Sequence, residues 1–211
     1  APRPAKDVKK FLLNLNMKNN FVENVFTSGE AALRTLKKGS YGKNFYHLGP
    51  SRDKSLFKRL DKNNKSLNEA EFILCTGFLE NQKNSLTYYK NLLKKYTRLK
   101  MICTNPDLIV HKGSKKEYCA GKLAEIFEKQ GGKVIYFGKP HPEIYNICSK
   151  KNEKVLVIGD NILTDIKGAN NMNFDALLIT SGIHKNDFSK LSYKKYDGVL
   201  SRYKLTTNYY L

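Results

Sequence analysis

The chain has no run of about 18 apolar residues, the length a helix needs to cross a bilayer, and it does not open on a charged-then-apolar leader. Together these absences set the expectation of a soluble, cytoplasmic protein with no membrane partner. Cysteine is scarce. Cys75, Cys103, Cys119 and Cys148 form no Cys-x-x-Cys pair, which excludes the usual structural zinc spacing, and Cys75 and Cys103 lie in or at the ends of apolar runs. They read as small buried hydrophobes of a reducing compartment, with no disulfide. Acidic residues are also few: 38 basic side chains against 19 acidic ones leave a formal charge of +19. Nearly all the basic residues are lysine, however, and arginine is the residue suited to bidentate phosphate and base contacts. The lysines are scattered and do not form one stripe. The charge therefore argues against specific nucleic-acid recognition despite its size.

What the chain does contain is an alternation of strands and helices within 211 residues, enough for one large domain or two modest ones with real cores. Val8, Phe11, Leu12 and Leu15 give Ala5 to Met17 a helical period, and Phe21 to Phe26 reads as a short strand. Thr27-Ser28-Gly29-Glu30 has the capping-box form that opens a helix to about Lys38. Strands follow over 44–48, 71–76 and 100–103, and helices begin at Ser51, Ser85 and Gly121, the last closed by Gly131-Gly132. Such alternation predicts a parallel α/β layer.

Two apolar runs then end in chemistry. Lys154 to Asp165 drives Val155-Leu156-Val157-Ile158 into Gly159 and two aspartates, Asp160 and Asp165. A run of this kind reads as a parallel strand covered on both faces, and ligands gather at the carboxyl ends of such strands. Two nearby carboxylates repel unless a cation or a shared proton compensates, and an oxygen-only pair suits Mg²⁺. The plainer alternative is a strand end followed by a helix that favours an acid in its first turn. The earlier run, Lys133 to Phe137, ends in Gly138-Lys139-Pro140. It is expected to lie beside the strand carrying Asp160, delivering the Lys139 ammonium to the same crevice.

These motifs resemble those of the haloacid dehalogenase superfamily, specifically its class IIA phosphatases. The carriers are Gly138-Lys139-Pro140, Gly159-Asp160-Asn161-Ile162-Leu163-Thr164-Asp165 with Gly168-Ala169, Thr104-Asn105-Pro106-Asp107, and Thr27-Ser28-Gly29-Glu30, in the family's order. The resemblance implies an α/β fold: a Rossmann-like core, incomplete at its N-terminus, from 1–26 and 132–211, with an inserted α/β cap over 27–131. It implies catalytic roles for Lys139, Asp160 and Asp165, Mg²⁺ as cofactor held by Asp160 and Asp165, and substrate contacts from Asn105, Asp107 and Asn161. Cys119 departs from the pattern, standing where many relatives have glycine.

The family's nucleophile is the first residue of an Asp-x-Asp pair, and no Asp-x-Asp occurs in these 211 residues. The implied activity is therefore that of the full-length protein: a Mg²⁺-dependent phosphomonoesterase working through an aspartyl-phosphate, with this chain inactive alone. A non-catalytic module that binds a phosphorylated ligand or a protein is the alternative. A small phosphorylated substrate is the expected partner. A homo-oligomer, or a separate N-terminal fragment that completes the core, stays open as well.

Overall fold

The computed structural model describes residues 1–83, 85–112, 115–189 and 193–211. They form two compact units, Ala1–Gly138 and Lys139–Leu211.

In the first unit α1 (Ala5–Asn14) starts behind Pro4, and α2 (Ser28–Leu36) follows its predicted cap. The Thr27 hydroxyl accepts from the Glu30 amide at 3.1 Å. The Glu30 carboxylate does not complete the box on Thr27; it accepts from the Ala5 amide at 3.3 Å and ties the two helices together. The strand expected at 21–26 is absent, replaced by a 3-10 turn at Asn19–Phe21 and irregular backbone. Phe21 and Phe26 are exposed and only Val22 is buried, so the segment lacks the covered face that holds a short strand in a sheet.

Four short strands, β1 (Phe45–Leu48), β2 (Phe72–Cys75), β3 (Lys100–Cys103) and β6 (Lys133–Tyr136), make one parallel sheet in the order β1-β2-β3-β6. Between β1 and β2 runs a 3-10 segment, Ser51–Asn63, kinked at Phe57. Helix α3 (Leu86–Lys94) is capped by the Ser85 hydroxyl, which accepts from the Tyr88 amide. An antiparallel hairpin of β4 (Ile109–Lys112) and β5 (Lys115–Tyr118) precedes α4 (Ala120–Lys129). The sheet is buried throughout β2 and packs Ile73, Met101, Leu123 and Phe127 into one core.

β6 corrects an expectation. Its residues Lys133 to Tyr136 hydrogen-bond to Lys100 to Cys103 of β3, not to the strand carrying Asp160. A half-buried parallel strand such as β6 reveals its apolar character in sequence but not its neighbour, and here the neighbour is the strand 33 positions upstream (133 − 100).

The second unit contains α5 (Pro142–Cys148), β7 (Leu156–Gly159), a π turn (Ile162–Ile166), α6 (Lys167–Met172), β8 (Asp175–Leu178), α7 (Tyr193–Arg202) and β9 (Tyr209–Tyr210). Pro142 occupies the first turn of α5. The strands pair in parallel in the order β7-β8-β9. Ile162, Ile166, Ala176, Leu178, Val199 and Leu200 form its core. No helix among the described residues is long and apolar enough to cross a membrane.

Candidate active site

The site begins where β7 ends. Asn161 caps the turn that follows, its side-chain oxygen accepting from the Leu163 amide at 2.9 Å. The next residues wind as a π turn, wider than an α-helix, and the Asp165 amide donates to the Asn161 carbonyl at 2.8 Å. This path folds Asp165 back onto the strand end. Its Oδ2 accepts from the Asn161 amide at 3.2 Å, and a Cβ on Gly159 would collide with its carboxylate. Glycine at 159 is therefore a requirement of the close approach.

Asp165 is 6% exposed, and its Oδ1 receives the Lys139 ammonium at 2.5 Å. Lys139 is 46% exposed, so its head stays accessible while it neutralises the buried acid. Asp160 lies at the strand mouth, partly exposed. Its Oδ2 accepts from the Ile183 amide at 3.0 Å, while its Oδ1 receives no hydrogen bond among the described residues. Tyr145 completes the surroundings: its hydroxyl is buried without a hydrogen-bond partner among the described residues, and burial, then the Asp165 charge, pushes its phenol well above the usual range.

Lys139, Asp160, Asn161 and Asp165 thus share one unit. Lys139 reaches Asp165 from the loop ahead of α5, not from a strand adjoining β7. Asn105 and Asp107 belong to the other unit, where the Asp107 amide donates to Asn105 Oδ1 at 3.4 Å. Sequence reading missed the Ile183 amide and Tyr145. A backbone donor leaves no side-chain signature, and one tyrosine among 13 carries no local mark of a place beside the site.

The donor set suits a hard divalent cation. Asp160 offers a free carboxylate oxygen, Asp165 is a second carboxylate already balanced by a lysine, and Mg²⁺ typically takes one or two carboxylates with water and substrate phosphate completing its shell. Among the described residues no group of three His, Cys, Asp or Glu side chains is placed to hold a metal by itself.

A family model described as HAD-hydrolase-like matches residues 136–202, which hold the whole of this arrangement. A haloacid dehalogenase-like hydrolase from Brucella suis 1330 superposes with a TM-score of 0.82 at 29% identity, covering 100% of this chain and 79% of that one. Residues 136–202 thus match the HAD-hydrolase-like family, and the whole chain has the fold of a haloacid dehalogenase-like hydrolase. The p-nitrophenyl phosphatase of Archaeoglobus fulgidus shares the fold, with a TM-score of 0.71 at 18% identity over 99% of this chain and 78% of that chain. Among curated proteins, ribonucleotide monophosphatase NagD of Escherichia coli K12 is 32% identical over 92 residues, 42% of this chain. The match spans 36% of that relative's length.

Proposed function

We propose that the full-length protein is a phosphomonoester hydrolase, and that Lys139, Asp160 and Asp165 are its contribution from this chain. The observation that carries the reading is the half-buried Lys139–Asp165 pair, 2.5 Å apart, at the strand end that also bears Asp160. An ammonium poised there can balance charge developing on the equatorial oxygens of a transferring phosphoryl group. Asp165, fixed by Lys139 and by the Asn161 amide, keeps that ammonium from swinging into solvent. Asp160 keeps one oxygen free toward the strand mouth, where it and Asp165 would hold Mg²⁺. When bound, that ion would supply charge neutralisation for the phosphate and the attacking carboxylate.

Asn161 and the loop bearing Asn105 and Asp107 are proposed to contact substrate, with 27–131 as the cap that excludes water and selects the leaving group. The attacking aspartate is proposed to lie outside these 211 residues, since no Asp-x-Asp occurs in them. It would form an aspartyl-phosphate, splitting one hard displacement into two easier ones. A cytoplasmic location is part of the same proposal. The missing pair also favours a second reading, a binding module without turnover. NagD and the p-nitrophenyl phosphatase, by their names, act on phosphate esters, which supports the first.

The test is phosphate release from p-nitrophenyl phosphate by the full-length protein with and without Mg²⁺. Release that needs the metal and falls at least a hundredfold in Asp160→Asn is the expected result. Metal-independent release indifferent to Asp160→Asn overturns the proposal. No release at all, with retained phosphate-ester binding, selects the second reading.

A further inference from the structure

The Lys139 ammonium can act at one place only if the backbone behind it is held. Lys139 is the first residue of the second unit, and the residue after it is a proline, which has no N–H to give. Among the described residues neither Lys139 nor Pro140 makes a backbone–backbone hydrogen bond outside the regular elements. A lysine head sits on a flexible four-carbon stem, so its bond to Asp165 fixes the ammonium and leaves the main chain free to drift.

Two side-chain hydrogen bonds hold this segment among the described residues, and both come from one stretch of helix. Asp165, in the π turn, takes the Lys139 head. Asn171, in the α6 that continues that turn, donates from Nδ2 to the Pro140 carbonyl at 3.2 Å. The stretch is itself well anchored. Ile166 and Ala169 are fully buried in the core of the second unit. Asn170 clamps the loop ahead of β9, its Nδ2 donating to the Thr206 carbonyl at 2.8 Å and its Oδ1 accepting from the Thr206 amide at 2.9 Å. Neighbours on a helix point about 100° apart, so Asn170 and Asn171 serve different sides. Gly168 and Asn171, three residues apart, share the side that meets α5 and the loop ahead of it. There a Cβ on Gly168 would stand 1.9 Å from the Tyr145 hydroxyl oxygen, so the bare glycine lets α5 lie close enough for Asn171 to reach Pro140.

We propose that Asn171 is a positioning residue for Lys139: its amide holds the Pro140 carbonyl and so sets the lysine backbone at a fixed distance from the helical stretch that also carries Asp165. The proposal deepens the phosphatase reading and rests on it for the use of the ammonium, while the tether rests on geometry alone. Positioning counts here because a charge stabilises a transferring phosphoryl group only where its oxygens will be, and a misplacement of about 1 Å can cost about a hundredfold in rate. Asn171 is exposed, so its bond biases the loop a few-fold and does not lock it.

The test is reductive methylation of lysines in the full-length protein, followed residue by residue by mass spectrometry, beside turnover of p-nitrophenyl phosphate. In Asn171→Ala, Lys139 should be labelled at least about threefold faster, the bias one hydrogen bond can hold, while Lys129, bonded to Glu125 in the first unit, keeps its rate. Asn171→Gln keeps an amide donor at an exposed position with room for one more methylene, and should return Lys139 close to its original rate. The alanine variant should lose about tenfold in kcat with KM within about twofold, and the glutamine variant should recover most of it. Unchanged Lys139 labelling in Asn171→Ala overturns the proposal. So does a rise shared by Lys129, which reports loosening of the whole fold, or a rise that Asn171→Gln fails to reverse. Turnover indifferent to Asn171→Ala while Lys139 labelling rises overturns it as well. An unsubstituted protein that shows the labelling pattern but no turnover supports the tether and removes the phosphatase reading.

Discussion

A buried carboxylate is tolerable only with a partner, and Asp165 has its partner in Lys139. Replacing that lysine by methionine keeps most of the stem's packing and removes the charge. The expected loss is about 1–2 kcal/mol, below the figure for fully buried pairs because Lys139 is 46% exposed. Urea denaturation measures it, and the Lys139→Met, Asp165→Asn double variant should recover part of the loss, since no buried charge then stands alone. His47 makes a pH-dependent counterpart. Its folded pKa of about 4 lies below the ordinary 6.5, so between those values the unfolded chain binds a proton that the folded chain refuses. Stability is full above pH 6.5 and falls as the pH drops toward 4, by at most about 1.4 kcal/mol per pH unit. Asp53 acts with the opposite sign: its raised pKa lets the folded chain keep a proton above the ordinary 3.8, so its share of stability falls as pH rises from there. Denaturation midpoints from pH 7 to 4.5 should decline in the parent chain and flatten in His47→Gln.

At the scale of elements the decisive unit is β7 with the π turn behind it. Gly159 lets the Asp165 carboxylate lie against the strand, so Gly159→Ala must push that side chain, and Lys139 with it, out of place. A loss of about 1–3 kcal/mol is expected, the usual range for forcing extra atoms into a packed site, read as a lowered Tm. Much of this element was legible beforehand. The apolar runs ending in Gly138 and Gly159 became β6 and β7, and the hydroxyls of Thr27 and Ser85 cap the helices they announce. What stayed hidden is what sequence does not encode locally. The β4–β5 hairpin is built from Ile109-Val110-His111-Lys112 and Lys115-Lys116-Glu117-Tyr118, with β5 exposed along its length, so no alternation of apolar and polar residues marks it. The partner of β6 is a choice made by the whole sheet. The direct Lys139–Asp165 bond depends on a π turn whose extra residue per turn leaves no periodic trace.

For the whole molecule the question is which of two opposing tendencies governs its behaviour in solution. The sheet order β7-β8-β9 leaves β7 with a strand neighbour on one side only among the described residues, and its Leu156 and Ile158 are 45% and 61% exposed. An apolar strand with an open edge is a template for pairing with another copy. Against it stands the formal charge of +19, which makes copies repel. The repulsion is screened over about 10 Å at 0.1 M salt and about 3 Å at 1 M, whereas edge-to-edge hydrogen bonding and apolar contact act at closer range and survive. Salt should therefore drive self-association of the 211-residue chain, the reverse of what phosphate-bound basic proteins show when salt releases them. Light scattering at fixed protein concentration should rise between those two salt levels. Ile158→Lys, which sets a charge on the exposed edge strand, should abolish the rise while leaving the low-salt signal unchanged. A scattering signal that is flat in salt, or equal in the variant, would mean that the β7 edge does not govern association.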